Sequence, residues 1–191
     1  YINSVQHLLR NSDITPDADV QSLINGMIAQ FNAGHPGHPY DEVVGYTNDD
    51  LVLDDRMKWW SADEYPWNGN DTAGQWITDG MKWKCDQIAW PSGGGCDLAI
   101  EAGGGVRADI PAGPVKYVQI YETYPWADDT YVRIRMTGQD ILNFLNANNL
   151  DVGFSRELDI TAFDGIIQSA KMNGQPIGLS TVYKVAVNNY M

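Results

Sequence analysis

Basic residues, histidine and cysteine are all scarce in this chain. Its 191 residues carry 12 Lys and Arg against 25 Asp and Glu, a formal net charge of −13. Such a balance argues against a nucleic-acid polymer as partner, because phosphate backbones are bound by an excess of cations. A single mononucleotide is not excluded, since one or two arginines suffice to hold it. No apolar run approaches the roughly 20 residues that cross a bilayer, so no membrane span is expected. There are three histidines, His7, His35 and His38. His35 and His38 stand three apart in a proline-rich loop, but no third histidine or cysteine supports them as a zinc site. The carboxylates Asp49, Asp50, Asp54, Asp55, Asp63 and Glu64 lack the spacing of a calcium loop and read as a solvated segment. No serine has a glycine-elbow setting. The chain therefore offers no catalytic nucleophile and no metal cluster.

Two cysteines are present, Cys85 and Cys96, separated by the flexible stretch Asp86–Gly95. With no metal-ligand partners nearby, a disulfide is the favoured reading, against two buried free thiols. Closing that loop stabilises the chain by about 3 kcal/mol on a chain-entropy model.

A hydrophobic content of 43 % and seven tryptophans argue for a packed core. At this length about 70 % of the unfolded surface can be buried, and a single domain over residues 1–191 is expected. Thr15 as cap, Pro16 at the first helical position and Asp17 as an early carboxylate announce a helix, whose apolar stripe runs through Val20, Leu23, Ile24, Met27, Ile28 and Phe31 before Gly34 and Pro36 end it. A short strand is expected over 42–47, then an irregular stretch over 48–71. A second helix starts at Thr72 and ends near Asp86. A strand over 98–101 feeds Gly103-Gly104-Gly105, and another runs from Tyr131 to Met136. Thr137 caps a further helix, and Asn173-Gly174 marks a hairpin before a last strand over 182–187. Helices and strands mix without strict alternation, so the fold class is α+β, or mixed α/β.

The segment Glu101-Ala102-Gly103-Gly104-Gly105-Val106-Arg107-Ala108-Asp109 holds the strongest chemical signal. Glycines let a backbone approach a ligand closely and adopt positive φ, so successive amides can face an anion while a guanidinium closes over it. The competing readings are a plain strand-to-loop turn and a surface arginine paired with Asp109. Tyr124-Pro125-Trp126 follows, and the chain closes on Val185-Ala186-Val187-Asn188-Asn189-Tyr190-Met191.

Together with the loosely matching Asn70–Asp79 segment, these motifs resemble the C-terminal domain of the 5′-nucleotidase family, and the resemblance runs through most of the chain. It implies a four-layer α/β/β/α architecture with mixed sheets, and a linker-helix region over residues 1–40. It also implies that Trp126 and Tyr190 sandwich a nucleobase and that Gly103, Gly104, Gly105 and Arg107 hold ribose or phosphate. Asn189 then reaches the base edge. The expected ligand is a nucleotide or nucleoside. Hydrolysis in that family uses two divalent metal ions in an N-terminal metallophosphatase domain, which is absent from these residues, so this chain alone is expected to be inactive. The family's setting is secreted, periplasmic or at the cell surface. Departures from the pattern are Ala102 where the family has asparagine, no arginine over 67–70, Gly74-Gln75 for Gly-Asn, and an end at Met191 before a Gly-Gly-Asp-Gly stretch. They keep open a second reading: a non-enzymatic module binding carbohydrate or protein through Trp59, Trp60, Trp67 and Trp90.

Overall fold

Large and small apolar residues alternate in Leu98-Ala99-Ile100 and again in Val185-Ala186-Val187, and this alternation organises the molecule. The two segments belong to parallel neighbouring strands, β2 (Leu98–Ala102) and β9 (Val182–Asn188), with Ala99 beside Ala186. Leu98, Ile100, Val185 and Val187 face the main core, whereas Ala99 and Ala186 face Met81, Cys85 and Cys96. The structure is a computed structural model describing residues 15–37, 39–53, 72–126, 128–148, 150–163 and 166–191.

The chain divides into two compact units, Tyr1–Glu42 and Val43–Met191. In the first unit, α1 (Ala18–Gly34) buries none of its apolar stripe. Its N-cap is Asp17 and not Thr15: Asp17 Oδ1 accepts the amides of Asp19 and Val20, which starts the helix after the proline.

The second unit is built on a four-stranded mixed sheet, in the order β4-β9-β2-β5, with β4 at Tyr131–Thr137 and β5 at Val152–Phe154. On one face lies α2 (Thr72–Gln87), which the small residues of the sheet allow to approach closely. A Cβ on Gly153 of β5 would stand 3.2 Å from the Gly74 carbonyl oxygen of α2. The other face buries Ile141 and Leu145 of α4 (Gly138–Ala147), and Leu158, Ile160 and Met172 of a three-stranded sheet, β6 (Leu158–Phe163), β7 (Ile166–Met172) and β8 (Gln175–Pro176). A two-stranded sheet pairs β1 (Val43–Thr47) with β3 (Gly113–Lys116), and α3 (Tyr117–Thr123) follows β3 directly. The α+β class read from the sequence holds, with a mixed sheet at its centre.

Cys85, in the last turn of α2, is bonded to Cys96 across a Cα separation of 5.9 Å, and both are buried. Arg133 of β4 closes over the intervening loop: its guanidinium donates to the carbonyls of Gly93, Gly94 and Gly95 and lies 4.4 Å from the Trp90 ring centre. Trp90 is thus a packing residue of that loop, its indole N–H donating to the Cys85 carbonyl at 2.9 Å. Trp59, Trp60 and Trp67, and the acidic residues from Asp54 to Glu64, lie outside the described residues.

Candidate functional site

The glycine turn leaves the end of β2 as a single 3-10 turn over Gly103–Gly105. Positive φ is not what it needs, since the positive-φ glycines are Gly93, Gly94, Gly113 and Gly174. Close packing is the reason instead. A Cβ on Gly103 would stand 1.9 Å from Asp151 Oδ1, and one on Gly105 would stand 2.6 Å from Glu101 Oε1, while Gly104 faces open space. The Gly103 amide donates to the Asp151 carbonyl at 3.0 Å, which removes it from the set of amides available to an anion.

Trp126 folds back onto this turn. Its indole N–H donates to the Gly105 carbonyl at 2.7 Å, and the Arg107 guanidinium lies 5.2 Å from its ring centre. This is a cation–π arrangement that leaves Trp126 as a residue 38 % exposed. The Arg107 amide donates to the Thr123 carbonyl at the end of α3, so the backbone on both sides of the turn is fixed. Among the described residues the Arg107 guanidinium forms no ion pair, and Asp109 instead accepts the Leu53 amide at 2.6 Å. Gly105, Arg107 and Trp126 are therefore in direct contact.

Beneath the turn sits Glu101, a carboxylate with no solvent exposure. Its Oε2 accepts the Tyr124 hydroxyl at 2.6 Å; its Oε1 accepts the Asn188 amide at 2.8 Å and the Ala102 backbone N–H at 3.0 Å. Burial pushes its pKa above the ordinary carboxyl range, offset in part by the Tyr124 and Ala102 hydrogen bonds. Burial, the Glu101 hydrogen bond and a contact with Tyr131 likewise hold the Tyr124 phenol protonated far above its usual range. Asn188 in turn accepts the amides of Tyr190 and Met191 through Oδ1, at 3.1 and 3.2 Å. Through this link Tyr190, 85 % exposed as a residue, is tied to the glycine turn. Asn189 bonds Thr130: its Oδ1 accepts the Thr130 amide at 3.0 Å and its backbone N–H donates to the Thr130 carbonyl.

A scan of family models matches the 5′-nucleotidase C-terminal domain to residues 43–191, the whole of the second compact unit. This chain belongs to the 5′-nucleotidase family. Among curated relatives, protein UshA of Escherichia coli is 28 % identical over 102 residues, 50 % of this chain and 18 % of that protein. A 5′-nucleotidase of Vibrio vulnificus is 30 % identical over 101 residues, 49 % of this chain and 18 % of its own length. Among solved structures, the 5′-nucleotidase precursor of Thermus thermophilus superposes with a TM-score of 0.66 at 23 % identity, covering 92 % of this chain and 34 % of that one. The NAD nucleotidase of Haemophilus influenzae gives 0.55 at 20 % identity, covering 91 % and 32 %. The chain thus spans less than a fifth of these curated relatives and about a third of the solved neighbours.

Among the described residues no three His, Cys, Asp or Glu side chains converge on one point. His35 stacks on Phe31 at 4.2 Å between ring centres, and His38 lies outside the described residues. No helix among the described residues is long and apolar enough to cross a membrane. A separate groove of about 580 Å³ opens along α2, lined by Trp76, Gly80, Trp83, Ile120 and Arg156 among others. None of the residues expected to bind substrate lines it; of its charged residues, Asp79 is paired with Arg156 and Lys82 with Asp86, while among the described residues Glu157 keeps one buried carboxylate oxygen without a hydrogen bond.

Proposed function

We propose that this chain is the nucleotide-recognition part of a 5′-nucleotidase-type metallophosphohydrolase. The carrying observation is Trp126, half-exposed, pinned by its indole N–H to Gly105 and backed by the Arg107 guanidinium. A ring held by its edge cannot rotate away, so its free face is a preorganised platform for a flat base. Arg107, without an ion-pair partner among the described residues, supplies a bidentate donor for ribose or phosphate. Gly104, open to solvent, allows the close approach of the ligand, and Tyr190 supplies the second ring of the clamp. Asn189 keeps its amide N–H groups for the base edge while its oxygen holds Thr130. Phosphate-ester hydrolysis belongs to a metallophosphatase domain carrying two divalent ions, outside these residues. The Cys85–Cys96 bridge suits an oxidising setting, secreted, periplasmic or at the cell surface.

Titrating the chain with adenosine and AMP tests this reading through tryptophan fluorescence. Trp126→Ala is expected to weaken binding by about 1 to 3 kcal/mol, the worth of one base–aromatic stack, and to abolish most of the quenching. Release of phosphate from AMP is expected from neither protein. No binding at millimolar AMP by the wild-type chain would overturn the reading. A second reading, a carbohydrate- or protein-binding module, draws on the exposed Trp76 and Trp83 along the α2 groove. Glycan binding combined with indifference to nucleotides would favour it.

A further inference from the structure

The nucleotide reading uses Arg107, Trp126 and Tyr190 and leaves the most deeply buried charged group of the site without a task. We propose that Glu101 is the positioning residue of the site: one carboxylate that holds the glycine turn, the Trp126 segment and the Tyr190 turn in a single arrangement. The proposal rests on the nucleotide reading for its function and on hydrogen-bond geometry for its structure.

Three chain segments that are distant in sequence meet at this side chain. Tyr124, two residues before Trp126, donates to Oε2; Asn188, two before Tyr190, donates to Oε1; and Ala102, which leads into the glycines, donates its backbone N–H to Oε1. Each partner hands the constraint on. Asn188 fixes the amides of Tyr190 and Met191, and Gly105, whose missing Cβ leaves the space that Oε1 fills, accepts the Trp126 indole. Removing the carboxylate therefore unpins both rings at once.

A space-filling role does not account for the choice of residue. Glu101 closes a strand that otherwise reads Leu98-Ala99-Ile100 and Ala102, and an apolar side chain there would escape the cost of burying a carboxylate. Among the described residues its hydrogen-bond partners are all neutral donors, so no cation offsets that cost. What the carboxylate does that a leucine cannot is accept from three directions at once.

Glu101→Leu and Glu101→Gln in the 191-residue chain test the proposal by two readouts, AMP affinity and 1H–15N spectra. In the Leu variant, the Trp126 indole N–H and the Tyr190 and Met191 amide signals are expected to shift or broaden together. The Trp90 indole signal, bonded to the Cys85 carbonyl, stays in place. AMP affinity is expected to fall by about tenfold or more. The Gln variant, which keeps the shape and an acceptor oxygen, restores both. Should the Leu variant not fold, single-arm variants decide: Tyr124→Phe should move the Trp126 signal alone, and Asn188→Ala the Tyr190 and Met191 signals alone. Unmoved signals in these variants, or an unchanged AMP affinity in Glu101→Leu, would overturn the role given to Glu101. A wild-type chain that ignores AMP overturns the nucleotide reading instead, and the spectra still decide whether Glu101 holds the three segments.

Discussion

The buried Glu101 carboxylate makes the chain's response to pH specific at one position. The groups facing it are the phenols of Tyr124 and Tyr131, the carboxylate of Asp129 and the neutral amide of Asn188. Burial raises its folded-state pKa above the ordinary 4.5, so the folded chain holds the proton more tightly than the unfolded chain does. The contribution to stability is full below the unfolded value. It is lost as pH rises through the ordinary carboxyl range to the raised folded value, and it stays lost above that. Glu101→Gln removes this titration. The stability of the Gln variant relative to wild type is therefore expected to rise with pH across that window and then level off, as read by urea unfolding at several pH values. A difference that is flat with pH would show that Glu101 ionises in the fold as it does in water. At this scale the sequence is legible only where chemistry is local. Arg107 and Trp126 stand out because the glycine run and Tyr-Pro-Trp are short motifs. The Glu101 network does not, because Tyr124 and Asn188 lie 23 and 87 residues away. The one signal available was an acidic residue closing an apolar strand just before the glycines.

Elements with their own chemical punctuation are read correctly from sequence. Thr137 caps α4, with Asp140 returning a bond to the Thr137 amide, and Asn173-Gly174 makes the β7–β8 turn with both residues at positive φ. The start of α1 is misplaced by two residues because Thr15 and Asp17 are both acceptable caps, and it is the Asp17 carboxylate that accepts the Asp19 and Val20 amides. Helix α3 goes unread: it is seven residues long, and Gln119, reaching back to the Lys116 amide, closes its start without a Ser, Thr, Asp or Asn. Strand β6 goes unread although Leu158, Ile160 and Ala162 alternate inward and Asp164-Gly165, a dipeptide that favours hairpins, follows it in the sequence; both signals were there to be read. The Cys85–Cys96 bridge belongs to this scale, since it ties the last turn of α2 to the strand it covers. Reducing it, or replacing both cysteines with serine, is expected to lower unfolding free energy by about 3 kcal/mol, the loop-closure contribution for a span of this size. A thermal melt with and without reductant checks the loss, and a difference below about 1 kcal/mol would mean that Arg133, Trp90 and the three glycine carbonyls hold the loop without the bridge.

At the scale of the whole molecule, the family match and the compact second unit begin at the same residue, Val43. Every residue of the two buried clusters lies between Met81 and Val187, so the core is complete within that unit. The disulfide, the glycine turn, Trp126 and Tyr190 lie there too. Size is no obstacle, since domains of 50 to 200 residues commonly carry one core. Residues 43–191 produced alone are therefore expected to unfold in a single cooperative transition and to bind AMP as the full chain does. Coincident denaturation curves from tryptophan fluorescence and far-ultraviolet circular dichroism test the first point, and a parallel AMP titration tests the second. Two separated transitions would show that residues 43–191 do not form one cooperative unit, and binding lost while the fold is kept would show that AMP binding requires residues 1–42. That outcome would also limit what the solved neighbours can teach, because they share the fold at 20 to 23 % identity, a level at which pocket chemistry is free to differ while the sheet order is kept.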